Sequence, residues 1–333
     1  MPADTRPRTA VLLQHTGIGD LIWHIQYFKA VAAQSHAGQV VVIAQPSTLA
    51  KAFLGHESWV TQIIDHDHRP RRGDGRRGQH AGIQGMRRMA RELQALKLDR
   101  LVMFSGRASR GLIAGLSGIP TRLGYGYNRL QRVFLSQGPY IAAHRGPGVP
   151  VFPEASAFAV AHGFCPRPIT PAMDVPAAHI EAMQERLAGM PRPITALAIG
   201  TSETHKQWGA SNYARLAEAL VARGGSVILL GGPGERDLAL NIHQQVTAAL
   251  QGRVHPITDA PVLGSAAILK LSDACVGNDT GMVNVAAAVA CPTWVLLGDR
   301  RPLEHDPQHL HNVLAPSLQA ITVQQVIAAL DGA

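Results

Sequence analysis

The sequence predicts an α/β chain of two doubly wound domains. Three observations carry this. Short apolar runs alternate with amphipathic ones along the whole chain. The apolar runs are continuous rather than alternating, "VVVIA" and "LVMF" among them, as in parallel strands covered on both faces. And a proline-rich stretch, "CPRPITPAMDVPAAH" (Cys165 to His179), separates two such alternations of similar size. Two domains suit a chain of 333 residues.

In order, the N-terminal half reads as strands near 9–14, 39–44, 60–65, 100–104 and 121–125, with helices near 20–35, 47–54, 83–97 and 107–117. After the linker a helix fits near 177–189. Strands then fit at 194–199, 226–230, 254–257, 274–276 and 293–297, and helices at 211–223, 235–250, 264–271, 281–290 and 322–330. The implied division is 1–165, a linker and connecting helix over 166–192, and 193–333. Two such domains facing each other form a cleft, and ligands bind beyond the C-terminal ends of the strands.

Composition narrows the class. Hydrophobic residues are 46% and charged residues 16%, a globular balance. Cys165, Cys275 and Cys291 are widely spaced, in apolar contexts, with no Cys/His ligand cluster, so they read as buried core thiols. The N-terminus "MPADTRPRTAVLL" turns into a strand too soon for a signal peptide, and no run of 18 apolar residues exists. A cytoplasmic protein is the expectation. The net charge of +8 is uneven: residues 1–170 hold 21 Lys and Arg against 9 Asp and Glu, and residues 171–333 hold 10 against 14. A basic first half points to an anionic partner. Its densest run is "RPRRGDGRRGQH" (Arg69 to His80), with Arg71, Arg72, Arg76 and Arg77. No aromatic residues interleave it, which argues against nucleic acid.

Four loops after strands carry chemistry. "HTGIGD" follows the first, where Gly17 and Gly19 let the backbone turn and approach a ligand, and Asp20 opens the next helix. This is not a dinucleotide turn. The third glycine would fall among bulky residues around Trp23, and the second strand ends at Gln45 with no acid for a ribose. "AIGTSETHKQWG" (Ala198 to Gly209) places Thr201, Ser202 and Lys206 as a phosphate cradle, or else as a polar loop over a packed Trp208. "LLGGPGERD" brings Glu235, a ribose ligand or a helix cap. "VGNDTGMVNVAAAVACPTWVLLG" sets Asp279, Thr280 and Gly281 at the start of a small-residue helix, whose free N–H groups and dipole suit a diphosphate.

These loops, in this order and over nearly the whole chain, resemble the family 9 glycosyltransferases, the ADP-heptose:lipopolysaccharide heptosyltransferases and their relatives. "GIGD", "KQW", "GGPGE" and "NDTGMVNVAA" carry the resemblance. It implies the GT-B fold and an inverting, metal-independent transfer of a sugar, a heptose from ADP-heptose in the first instance. It makes Asp20 the general base, with Lys206, Thr201, Ser202 and the Thr280 and Gly281 amides stabilising the leaving diphosphate. Glu235 would hold the ribose, Asp279 and Asn284 the donor sugar, and the loop around Ile257 to Val262 would meet the nucleobase. The acceptor would be a lipopolysaccharide-type or other anionic glycan, bound by the N-terminal half with Gly17, Gly19 and the four loop arginines, with peripheral contact at the inner membrane surface. No cofactor and no metal are implied. The literal Asp-x-Asp of "DHDH" (Asp65 to His68) reads as a chance spacing. Two positions depart from the family: its histidine in the last motif falls on Asn284, and a proline falls on Gln26. Asn284 can hydrogen-bond but carries neither charge nor proton. The alternative is therefore a non-catalytic nucleotide-sugar-binding protein, or a member with another donor.

Overall fold

A computed structural model describes residues 4–69, 75–146, 149–201 and 203–332. The chain divides into two units. The first takes residues up to Gly146 together with Pro150–Thr170, and the second runs from Pro171 onward.

The first unit is a parallel five-stranded sheet. Its elements are β1 (Thr9–Leu13), α1 (Ile18–Ala33), β2 (Val40–Ala44), α2 (Ala50–Leu54), β3 (Val60–Asp65), α3 (Gly82–Ala95), β4 (Arg100–Phe104), α4 (Ala108–Leu116), β5 (Thr121–Gly124), α5 (Arg129–Arg132) and α6 (Val151–Ala161). The strand order is β3-β2-β1-β4-β5. Alternate residues point to opposite faces of a strand, and both faces are dry here. Ala10, Leu12, Val41, Ile43, Leu101 and Met103 pack with Met89, Leu93 and Ile113 of α3 and α4. On β4, Phe104 makes edge-to-face contacts at 5.3 Å with Phe28 of α1 and 5.1 Å with Phe158 of α6.

The second unit opens with α7 (Ala177–Leu187). It continues through β6 (Ile194–Ala198), α8 (Ala210–Ala222), β7 (Ser226–Leu230), α9 (Arg236–Gln245), β8 (Val254–Ile257), α10 (Val262–Leu271), β9 (Ala274–Asn278), α11 (Gly281–Ala288), β10 (Thr293–Gly298), β11 (Leu310–Leu314) and α12 (Val323–Asp331). Its parallel sheet has the order β11-β10-β9-β6-β7-β8. All three cysteines are buried and free. No helix among the described residues is long and apolar enough to cross a membrane.

Three elements escape the sequence pattern. α6, "VFPEASAFAVA", is apolar around most of its surface and shows no helical stripe. β11, "LHNVL", is an edge strand whose apolar residues are interrupted by His311 and Asn312. α5 is a single turn, capped by Asn128, which accepts from Gln131 N–H at 2.8 Å. The predicted 235–250 helix ends at Gln245, where Val246 turns extended before a short 3-10 segment.

In each sheet the strand order reverses once, between β1 and β4 and between β6 and β9. Loops leaving the C-terminal ends of these strand pairs splay apart, which makes them the binding positions of such sheets. At the second reversal α11 packs tightly on β9. A Cβ on Gly277 would lie 2.6 Å from Ala198 Cβ and 2.9 Å from Val283 Cγ1. Gly277→Ala is therefore expected to destabilise the chain by about 1–3 kcal/mol, read as a lower urea midpoint at an unchanged slope.

Candidate active site

At the first reversal, β1 feeds the segment from Gln14 to Gly17 and then α1. Helix α1 starts at Ile18, two residues before the predicted start, so Gly19 lies within its first turn and not in a turn ahead of it. Gly17 has φ −89°, an ordinary value. What Gly17 provides is room, since a Cβ there would sit 2.9 Å from Asp20 Oδ2. That oxygen accepts the Gly17 N–H at 2.9 Å, so Asp20 caps the helix. An acid in the first turn also meets the positive end of the helix dipole. One turn on, His24 Nδ1 lies 2.6 Å from the Asp20 carbonyl oxygen, and burial pushes its imidazole down to about 3. The loop after β4 is tied to this one. Ser105 Oγ and Gly106 N–H both donate to Gln14 Oε1, at 2.7 and 3.1 Å.

Among the other residues expected on the acceptor side, Arg76 pairs with Asp67 at 2.5 Å, and its side chain is half exposed. Arg77 lies beside Gly82, its guanidinium 2.6 Å from where a Cβ would stand. Arg71 and Arg72 lie outside the described residues. In "DHDH", Asp65 pairs with Lys51 at 2.6 Å, and Asp67 holds Arg76. No cluster of three metal-ligating side chains occurs among the described residues.

At the second reversal the loops after β6, β9 and β10 converge. Asn278, the last residue of β9, is fully buried. Its Oδ1 accepts the Trp208 N–H at 3.1 Å, and its Nδ2 donates to Ile199 O at 3.1 Å and to Gln207 Oε1 at 3.2 Å. Trp208 packs beneath the loop, edge-on to Tyr213 at 5.2 Å, with its indole N–H on Ile321 O at 3.0 Å. Lys206 is thereby brought toward Asp279. Its Nζ lies 2.8 Å from Glu203 Oε1 and 3.5 Å from Asp279 Oδ2. Lys206, at hydrogen-bonding distance, holds the Glu203 carboxyl below its usual range.

Asp279 has a second cation. Arg300 Nη1 lies 2.8 Å from its Oδ2, while Arg300 Nε and Nη2 donate to Leu297 O and Leu296 O, both at 3.1 Å. Arg300 was not foreseen from the sequence. The signal for it was the charged "GDRRP" that follows the strand run ending at Gly298.

The remaining predicted residues sort as follows. Thr201 Oγ1 is engaged in a local turn with Glu203, donating to its carbonyl at 3.1 Å and accepting its N–H at 3.2 Å. Ser202 lies outside the described residues. Glu235 repeats the Asp20 device, with Oε2 accepting the Gly232 N–H at 2.8 Å. Its side chain also runs along Gly231 and Gly200, where Cβ atoms would meet it at 2.7 and 3.3 Å. Thr280 is the N-cap residue of α11 with extended backbone, and its side chain makes no cap hydrogen bond. Gly281 is the first helical residue. Asn284 stands in the first turn of α11. It is 4% exposed, and its Nδ2 donates to Thr280 O at 2.9 Å, one turn back along its own helix. An amide at this depth braces the start of α11.

Lys206, Arg300, Asp279, Glu203 and the amino end of α11 thus gather at the edge of one sheet. Two cations, two carboxylates and the orphan N–H groups of a helix start form an arrangement able to take a polyanion by exchange of ion pairs.

The fold recurs in solved structures. Over 98% of both chains it matches the E. coli ADP-heptose lps heptosyltransferase II, at 18% identity and a TM-score of 0.76. It matches a family 9 glycosyl transferase from Veillonella parvula over 100% of this chain and 98% of that one, at 16% identity and a TM-score of 0.76. E. coli heptosyltransferase WaaC with ADP-2-deoxy-2-fluoro heptose matches at 17% identity and a TM-score of 0.71, covering 97% and 99% of the two chains. These likenesses establish the GT-B type fold. No curated protein matches by sequence. The sequence model described as glycosyltransferase family 9 (heptosyltransferase) matches residues 86–321, more than two thirds of the chain. A chain that carries this match on this fold belongs to glycosyltransferase family 9 and is a heptosyltransferase-like glycosyltransferase.

Proposed function

We propose that this glycosyltransferase moves a heptose from ADP-heptose onto an anionic glycan acceptor of lipopolysaccharide type, with inversion and without a metal ion. The observation that carries the donor half is the gathering of Lys206, Arg300 and the amino end of α11 beside Asp279 at the β6/β9 reversal. A diphosphate leaving as an anion needs no proton, only countercharge. Lys206, Arg300 and the N–H groups at Thr280 and Gly281 supply it. Thr201 and Ser202 extend the cradle, Glu235 takes the ribose, and Asp279 orients the donor sugar between its two cations. Asn284 acts through the first turn of α11. Glu203 and Asp279 are already committed to Lys206 and Arg300, so this donor set favours an organic anion over a divalent cation.

The first unit takes the acceptor in this reading. Asp20 accepts the proton of the acceptor hydroxyl as its oxygen attacks the anomeric carbon. The bond from that carbon to the diphosphate oxygen breaks, and its electron pair leaves on the diphosphate. Arg76, Arg77, Arg71 and Arg72 draw in the anionic acceptor, which suits a protein working at the cytoplasmic face of the inner membrane. The ADP-heptose assignment follows the donor analogue named for the WaaC structure.

Asp20 both caps α1 and serves as base here, and two substitutions separate the parts. Asn keeps a carbonyl oxygen for the Gly17 N–H, so Asp20→Asn should melt close to the parent while turnover falls by roughly 10²–10⁴. Asp20→Ala should lose the turnover and about 1 kcal/mol of stability as well. Near-normal turnover in the Asn variant would remove Asp20 from the chemistry.

Lys206→Ala should weaken ADP binding by about 1.5–3 kcal/mol in calorimetry, the range of a charge-assisted contact. An unchanged affinity would make the "KQW" loop a structural element alone. Turnover should also persist in excess EDTA. Loss of activity to the chelator, restored by magnesium or manganese, would overturn the metal-free reading.

A further inference from the structure

The loop after β3 and the first turn of α4 hold buried polar groups that the transfer chemistry above does not use. Arg110, third residue of α4, is 4% exposed, and its Nε and Nη2 have no hydrogen-bond partner among the described residues. A buried guanidinium left without an anion is strongly unfavourable, and arginine does not escape by giving up its proton. Burial, then the charge of Arg107, pushes Arg110 down only to about 10, so it stays cationic at neutral pH.

Two histidines share its surroundings. His66 is 1% exposed, and neither ring nitrogen has a partner among the described residues. The His68 ring lies 4.6 Å from it, centroid to centroid. Burial first, and then the nearby Arg110 charge, holds both rings neutral. The carboxylate between them in sequence does not answer the guanidinium: Asp67 Oδ2 takes Arg76 and the Gln79 N–H. Two buried acceptors also stand without donors among the described residues, Asp67 Oδ1 and Gln45 Oε1. Gln45 is held to the same segment by its Nε2, which donates to Arg69 O.

We propose that Arg110, with His66 and His68, forms an oxyanion subsite that takes one carboxylate or phosphate group of the acceptor, while Gln45 Oε1 and Asp67 Oδ1 accept from hydroxyls beside that group. The guanidinium fork matches either oxyanion in a bidentate way. A neutral imidazole adds an N–H donor without a further charge to balance. Arg110 follows β4 and lies at the β1/β4 reversal, the position from which α1 presents Asp20. This rests on the acceptor reading of the first unit for the molecule that bears the group, and not for the binding of the group itself.

The test is a titration of the full chain with inorganic phosphate and, separately, with acetate, following the imidazole NMR signals of His66 and His68. Saturable shifts are expected with at least one anion, and the responding anion tells phosphate from carboxylate recognition. Arg110→Met should weaken that binding on the order of tenfold to a hundredfold, and Lys206→Ala should leave it unchanged. Removing a buried lone charge favours folding. Should the Met variant fail to fold, Arg110→Lys keeps a charge without the fork and should still bind more weakly. Absence of saturable shifts with both anions, or shifts that persist at parental affinity in the Arg110 variants, would overturn the subsite. Anion-dependent shifts in a protein that transfers no sugar to an anionic glycan would support the subsite and count against the transfer reading alone.

Discussion

The second unit's site hangs on one buried amide. Asn278 ends β9, and through its two polar atoms it clips the loop leaving β6 to the loop leaving β9. Lys206 stands two residues before one partner of that clip, and Asp279 is the residue after the clip itself. Their separation is therefore set by a side chain that touches neither. A fully buried amide with its donors and acceptor satisfied is rigid, and leaving one partner unmade would cost about 1–3 kcal/mol. The glycine before it closes the device. Gly277 lets α11 come down on β9, so the amino end of the helix arrives at the same edge as the charges.

Both units use one further device at a helix start. A glycine N–H is met by the acid three residues on, Gly17 by Asp20 and Gly232 by Glu235. The glycine is needed less for its backbone freedom than for its missing Cβ, since that is the space the carboxylate fills. A carboxylate held this way has one oxygen fixed by the backbone, so its direction is settled before any substrate arrives.

Much of this was legible in the sequence, for identifiable reasons. Strands buried on both faces write themselves as unbroken apolar runs, so β1, β2 and β6 stand where "AVLL", "VVVIA" and "ITALAI" put them. β11 did not, because His311 and Asn312 interrupt its apolar residues. α6 did not, because a helix buried on most sides loses the stripe that reveals a helix. At the site, the charged and hydroxylated residues were visible as types out of place among apolar neighbours. Their pairings were not. Nothing in the chain announces that Arg300, 21 residues beyond Asp279, turns back to it. Asn284 was visible as a polar residue near a helix start, but its bond back to Thr280 O was not. Arg110 sits inside an amphipathic helical pattern where an arginine passes for a solvated one, and only the accessibility of its atoms sets it apart.

The network around Lys206 has a consequence for recognition. Glu203, Lys206, Asp279 and Arg300 balance, two negative charges against two positive. This edge of the sheet therefore offers an approaching anion little net attraction, and Glu203 already occupies the ammonium that such an anion needs. Any anion that takes Lys206 must first displace this internal competitor. A single weakly charged oxygen gains about what Glu203 loses, whereas a diphosphate brings several oxygens and the helix N–H groups at once. On the proposed donor reading, this arrangement sets a threshold, by the valency of the ligand before its shape.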